Sequence, residues 1–297
     1  MSDERRHRAF TLIELLIVVS IIALLAAILL PNLRRARDQA RTVVCRSNIR
    51  QLHLANSSYA LENNDLYVPA ASDMVNGFGG RHRWHGTRLA DAVDPDPVRN
   101  TFDPELGPLA GALLDGAIKA CPQRTEFVTS GAANAFEAGC GGYGYNLYGI
   151  GGRFYAAGWS AAQVGQGAPF QLGWWTSRVQ NPAQVVMFTD TAYRVQSGPS
   201  GSYLIEYSFS EPPWSVEATP QGPHERAGEP ALWWLSTPSI HFRLGGVTYV
   251  AWCDGHVSGE KLSTDKVGSR QWQLGWFGTL DNAAFAPVPT AHAATPD

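Results

Sequence analysis

Apolar residues fill the chain from Phe10 to Leu30, FTLIELLIVVSIIALLAAILL, a run of 21 positions broken by one carboxylate, Glu14, and two hydroxyls, Thr11 and Ser20. At about 1.5 Å per residue such a helix crosses the hydrocarbon core of a bilayer. After Pro31 the pattern changes but stays helical. Leu33, Ala36, Ala40, Val43, Val44, Cys45, Ile49, Leu52, Ala55 and Tyr59 recur at three- and four-residue spacing. Arg34, Arg37, Asp38, Arg41, Arg46 and Arg50 take the other faces. The spacing predicts one helix over residues 10–62, with residues 10–30 in the membrane and a kink at Pro31. Asn63-Asn64-Asp65 ends it, because Asn and Asp favour turns.

Beyond this helix the signals are shorter. Val185 to Phe188 is an apolar run suited to a buried strand. Val247 to Cys253 alternates loosely and runs into Asp254-Gly255, a strong hairpin signal. The stretches from Phe154 to Pro182 and from Ser208 to Pro238 are rich in Gly, Pro and Trp and read as long loops or short strands. The last residues, 286–297, are rich in Pro, Ala and Thr and read as a disordered tail. The fold class expected is α+β: a long N-terminal helix packed on an antiparallel sheet, with a head over 63–285 and long loops. No internal repeat is visible.

A carboxylate within a membrane segment costs at least about 2.5–3.5 kcal/mol, so Glu14 marks function unless it sits solvated at headgroup depth. Arg5, Arg6 and Arg8 precede the run, while Arg34, Arg35, Arg37 and Arg41 follow it. Charge asymmetry alone would keep the head in the cytoplasm, in conflict with the export expected below; large domains, however, translocate largely regardless of charge. The run is too long for the apolar region of an ordinary secretory peptide, and no A-x-A cleavage site follows it.

The string Arg8-Ala9-Phe10-Thr11-Leu12-Ile13-Glu14 resembles the class III signal of type IV pilins and type II secretion pseudopilins. The resemblance implies a leader over 1–9, cleavage by a prepilin peptidase between Ala9 and Phe10, and methylation of the new Phe10 amine. It implies that Glu14 pairs with the Phe10 amine of a neighbouring subunit. It also implies an inner-membrane, single-pass protein with an exported head. Its partners would be other copies or pilin-like subunits, with an assembly platform and a cytoplasmic ATPase. The departure is Ala9, where the family usually has Gly. Further along, Cys45 to Pro69, Cys121-Pro122, Tyr143-Gly144-Tyr145-Asn146, Pro182 to Asp190 and Val247 to Val257 resemble, in order, elements of a large pilin-like group abundant in planctomycetes and verrucomicrobia. In that group the spacing from a His to the closing Asp-Gly is shorter than the twelve residues between His241 and Asp254 here.

Cysteine count and charge refine this picture. Cys45, Cys121, Cys140 and Cys253 are even in number and lack C-x-x-C spacing, which suits disulfides in an exported domain better than zinc. Three pairings are open, with buried thiols as the alternative. The pairing we favour is Cys45 to Cys121, which would tie the helix to the head. Net charge is −3 with no basic face, so nucleic acid is not an expected partner.

No nucleophile elbow, zinc-protease motif, P-loop or dinucleotide fingerprint occurs, and no enzymatic role is expected. Asp190, Asp254 and His256, with His241 close by, are candidates for a divalent ion such as calcium at neighbouring strand ends. Two carboxylates fall short of the six or more oxygens calcium takes, and no cofactor is expected. The competing reading gives Asp254 to its turn and Asp190 to backbone amides. His82 and His85 in RHRWHG read as loop side chains. Ten tryptophans, including Trp174-Trp175 and Trp233-Trp234, admit a second function, a binding module at a filament tip or on the membrane whose rings grip glycan or protein. In each pair, one ring would face the core and the other the surface.

Overall fold

The computed structural model describes residues 12–73, 80–88, 101–113, 116–123, 127–128, 137–153, 171–197, 201–216, 233–235, 237–263, 269–278 and 282–288. The leader, Ala9 and Phe10 lie outside these residues, as do 289–297; for Trp233 and Trp234 only the backbone is described. The architecture is α+β. It has one long helix, α1 (Leu12–Glu62), followed by 3-10 turns and short strands. The chain divides into two units between Val43 and Val44. The last part of α1 is therefore built into the head.

α1 runs unbroken through Pro31. Proline has no N–H to give the Ala27 carbonyl. One residue on, the Asn32 side chain donates to the Ile28 carbonyl at 3.0 Å. The helix ends where Asn64 and Asp65 adopt left-handed backbone conformations, φ 55° and 65°. Asn and Asp enter that region more readily than other non-glycine residues.

The head is organised by a five-stranded sheet. Its order is Val257–Lys261, Val247–Trp252, Val186–Asp190, Tyr143–Asn146 and Phe209–Ser210. The first three pairings are antiparallel and the last is parallel. The 186–190 strand lies at the centre, and all five of its residues are buried. This explains why it reads as a continuous apolar run ending in polar Thr189 and Asp190. The expected hairpin across Asp254-Gly255 joins the 247–252 and 257–261 strands, with Val250 opposite Ser258. Gly144 takes no side chain, because a Cβ there would lie 2.3 Å from the Thr191 methyl and 2.6 Å from the Phe209 carbonyl carbon.

The main core gathers Cys45, Ile49, Leu52 and Ala55 of α1 with Trp84, Tyr143, Tyr145, Met187 and Phe188. A second cluster joins Val186, Ile240, Phe242, Val250, Trp276, Phe277 and Phe285. Residues 286–288, which composition assigns to a disordered tail, belong to the head. Phe285 and Ala286 N–H donate to the Asn282 carbonyl, both side chains are buried, and Gln180 N–H donates to the Pro287 carbonyl at 2.7 Å. The turn at Asn282 carries an apolar pair inward that a Pro/Ala count cannot distinguish from a tail.

Candidate functional site

Glu14 sits in the first turn of α1, where the helix dipole favours a negative charge. Around it Leu12, Ile13, Leu15, Leu16, Ile17 and Val18 are all exposed. The helix is long and apolar enough to cross a membrane, and none of its most apolar window is buried. Each Leu or Ile so exposed forgoes about 1.5–3 kcal/mol of burial, which lipid or other protein would supply. Before the head begins, several polar side chains of α1 bond to the helix itself. Ser20 donates to the Leu16 carbonyl at 2.7 Å and Thr42 to the Asp38 carbonyl at 2.9 Å. Ser20 can therefore lie in hydrocarbon without an unmet hydroxyl.

The head grips α1 through a second set of groups. Cys45 and Cys121 form a disulfide with Cα atoms 4.9 Å apart, closing 76 residues of sequence. Cys140 and Cys253 remain as buried thiols. Beside the disulfide, Asn48 donates to the carbonyls of Lys119 and Ala120 at 3.1 and 3.3 Å. Two turns on, Asn56 donates to the Tyr145 hydroxyl at 3.0 Å and accepts from Val68 N–H at 2.9 Å. His53 Nε2 lies 3.2 Å from the Cys253 carbonyl, and burial lowers its pKa. The helical spacing of apolar residues did not reveal these three polar side chains. Each is buried because a backbone or hydroxyl group far along the chain meets it.

Asp254 and His256 are brought together, but Asp190 is not with them. In an antiparallel pair, Thr189 faces Val250 while Val186 faces Trp252. Asp190 and Asp254 therefore follow opposite ends of the paired strands. Asp190 is fully buried, paired to Arg243 at 3.1 Å, and accepts Tyr249 N–H at 2.9 Å. Burial raises its pKa against the pull of Arg243. Arg243 comes from the stretch between His241 and Asp254, which thus supplies the counter-ion. Asp254 accepts His256 N–H at 3.1 Å and lies 2.6 Å from His256 Nδ1. Gly255 between them has φ +91°, which glycine adopts without strain. Among the described residues no three His, Cys, Asp or Glu side chains cluster as metal ligands. His241 is buried in a short strand beside Phe127.

His85 lies in the turn between the short strands His82–Arg83 and Gly86–Thr87, as a loop residue, but its side chain is not on the surface. It is buried between Trp84 and Phe102, with Nε2 3.9 Å from Glu137. Glu137 is fully buried, pairs with Arg83 at 3.3 Å and accepts from the Ser208 hydroxyl. Burial opposes its charge, yet Arg83 and His85 hold its carboxyl below the usual range. The cationic spacing in RHRWHGTR is the one sequence trace of this network. Trp174 is buried and Trp175 half-buried.

Residues 5–30 match the family described as the prokaryotic N-terminal methylation motif. The chain is 38% identical over 101 residues to the type IV major pilin protein PilA of Myxococcus xanthus, covering 33% of this chain and 44% of that protein. It is 45% identical over 60 residues to the type IV wide pilus major component PilA4 of Thermus thermophilus, covering 20% and 46%. It is 37% identical over 61 residues to the type II secretion system core protein G of Pseudomonas aeruginosa, covering 20% and 43%. The chain thus spans less than half the length of each of these curated relatives. No solved structure matches the chain. With its unburied apolar helix and the acid near the start of that helix, the chain is type IV pilin- or pseudopilin-like, and its N-terminal segment carries the membrane-anchoring pattern of that family.

Proposed function

We propose that the chain is a non-enzymatic structural subunit of a type IV pilus-like or type II secretion filament, assembled through α1. The observation that carries this reading is an apolar window of α1 with no buried residue, led by Glu14 within a matched methylation motif. In this scheme a prepilin peptidase cuts between Ala9 and Phe10, and the Phe10 amine is methylated. The subunit waits in the inner membrane with its head outside the cytoplasm. Glu14 then meets the Phe10 amine of an adjoining subunit, where low dielectric strengthens the attraction. Apolar faces of successive helices pack, and a head-to-tail contact of this kind extends rather than closes. A platform protein and an ATPase drive the addition of subunits.

The test is N-terminal mass spectrometry of the protein taken from membranes. A mature chain beginning at methylated Phe10 is expected. Retention of residues 1–9 on the assembled protein would overturn the proposal.

A further inference from the structure

Trp175 carries two guanidinium groups on its ring. Arg153 Cζ lies 3.8 Å and Arg178 Cζ 4.3 Å from the ring centre. The ring is fixed from both sides in sequence. Trp175 bridges to Leu66, Tyr67 N–H donates to the Trp174 carbonyl at 2.9 Å, and Trp174 N–H donates to the Ile150 carbonyl at 2.8 Å. Arg178 ends the 3-10 turn Thr176–Arg178. Arg153 is anchored by its Nε, which donates to the Gly173 carbonyl at 3.2 Å. Among the described residues this is the hydrogen bond that Arg153 donates, and its two terminal nitrogens carry further N–H donors.

Neither arginine has a carboxylate partner among the described residues. Asp65, the acid bonded to the same 3-10 turn, is already engaged. It accepts from the Thr176 and Ser177 hydroxyls and from Ser177 N–H at 3.1 Å. Partial burial and the like charge of Arg178 both lower the pKa of Arg153. Two like charges are thus held together on one indole at a partly exposed surface, on a chain whose net charge is −3. Such an arrangement is stabilised by an oxyanion between the forks, because guanidinium matches carboxylate and sulfate bidentately.

We propose that Arg153, Trp175 and Arg178 form a binding site for the carboxylate or sulfate groups of an acidic polysaccharide. Such a polymer presents these groups at regular intervals along its length, so the paired forks can meet an oxyanion wherever the chain crosses them. Duplex nucleic acid fits less well. Its binding draws on about 6–10 phosphate contacts, and here two cations stand on an acidic molecule. Many copies in one polymer would multiply a weak single contact. The inference does not depend on filament assembly.

The test is titration of the full-length protein in detergent micelles at low salt with polygalacturonate and with heparin. Neutral dextran and a single-stranded oligonucleotide serve as comparators. At least one acidic polysaccharide is expected to bind, and neutral dextran is not. Affinity is expected to fall about tenfold for each of Arg153→Ala and Arg178→Ala. The Arg153→Lys/Arg178→Lys variant is expected to weaken binding as well, since lysine keeps the charge but loses the planar fork. It also supplies the measurement should the alanine variants misfold by near-ultraviolet circular dichroism. Exposed Arg270→Ala is the charge control and should leave affinity unchanged. The proposal is overturned by unchanged affinity in the two single alanine variants, or, should these misfold, in the Arg153→Lys/Arg178→Lys variant. It is equally overturned by a matching loss in Arg270→Ala, by binding of the oligonucleotide alone, or by no binding of either polysaccharide.

Discussion

From Leu12 to Val43, α1 buries no residue, whereas from Cys45 to Ala60 it buries eight. The backbone is the same continuous helix in both stretches, and so are many of the residue types. What differs is the source of the partners. In the second stretch the partners come from the chain's own head: the disulfide, the Lys119 and Ala120 carbonyls, the Tyr145 hydroxyl and the Cys253 carbonyl. In the first stretch Ser20, Asn32 and Thr42 turn back on their own helix, and none of the apolar side chains is buried by the described residues. A helix that satisfies its polar groups internally and leaves its apolar groups uncovered is suited to a solvent other than water.

The contrast can be broken from either side. The largest effect is expected from Glu14→Leu. Filament recovered by shearing and sedimentation should fall more than tenfold, while the head keeps the near-ultraviolet dichroism of wild type. Undiminished filament would show that the acid has no role in assembly. In the other stretch, Cys45→Ser with Cys121→Ser should lower the head's stability by about 4 kcal/mol, the chain-entropy value for a loop of this size. Urea denaturation measures it, and a shift below about 1 kcal/mol would mean that the clip is redundant with packing. Asn56→Ala leaves the Tyr145 hydroxyl and Val68 N–H without their partner and should remove about 1–3 kcal/mol in the same assay.

The smallest effect is a slope in pH. The folded His53 has a pKa below its unfolded value of about 6.5. The unfolded chain therefore takes up the proton first. Its contribution is complete above about pH 6.5 and declines as pH falls toward the lower folded value. His53→Gln should flatten the denaturation midpoint between about pH 6.5 and 5. An identical slope in the variant would assign the acid sensitivity to other groups.

The sequence makes one stretch of α1 more legible than the other, for a physical reason. A membrane-length apolar run is a one-dimensional signal, and Glu14 stands out within it. The apolar stripe of Cys45, Ile49, Leu52 and Ala55 is also one-dimensional and places the helix on a core. Asn48, His53 and Asn56 are polar letters on that same stripe. Their burial depends on groups 71, 200 and 89 residues away, which no local pattern reports. The strand ending at Asp190 and the Asp-Gly hairpin were readable for the same local reason. That Asp190 meets Arg243 and not Asp254 follows from strand direction. The antiparallel register separates it from Asp254, and the stretch after His241 delivers the cation. Glu137 escaped notice altogether. Its neighbours Arg83, His85 and Ser208 are scattered over more than a hundred residues of chain.

The disulfide at Cys45 has a mechanical meaning. In the proposed polymer, a pull on the assembled rods travels down α1 and enters the globular part near Cys45, where the first buried side chain of the helix is also a covalent rivet. Traction there loads a sulfur–sulfur bond before it can peel the helix, turn by turn, from the sheet. A machine that extends or retracts such fibres would be hauling on a joint made of bonds rather than of contacts.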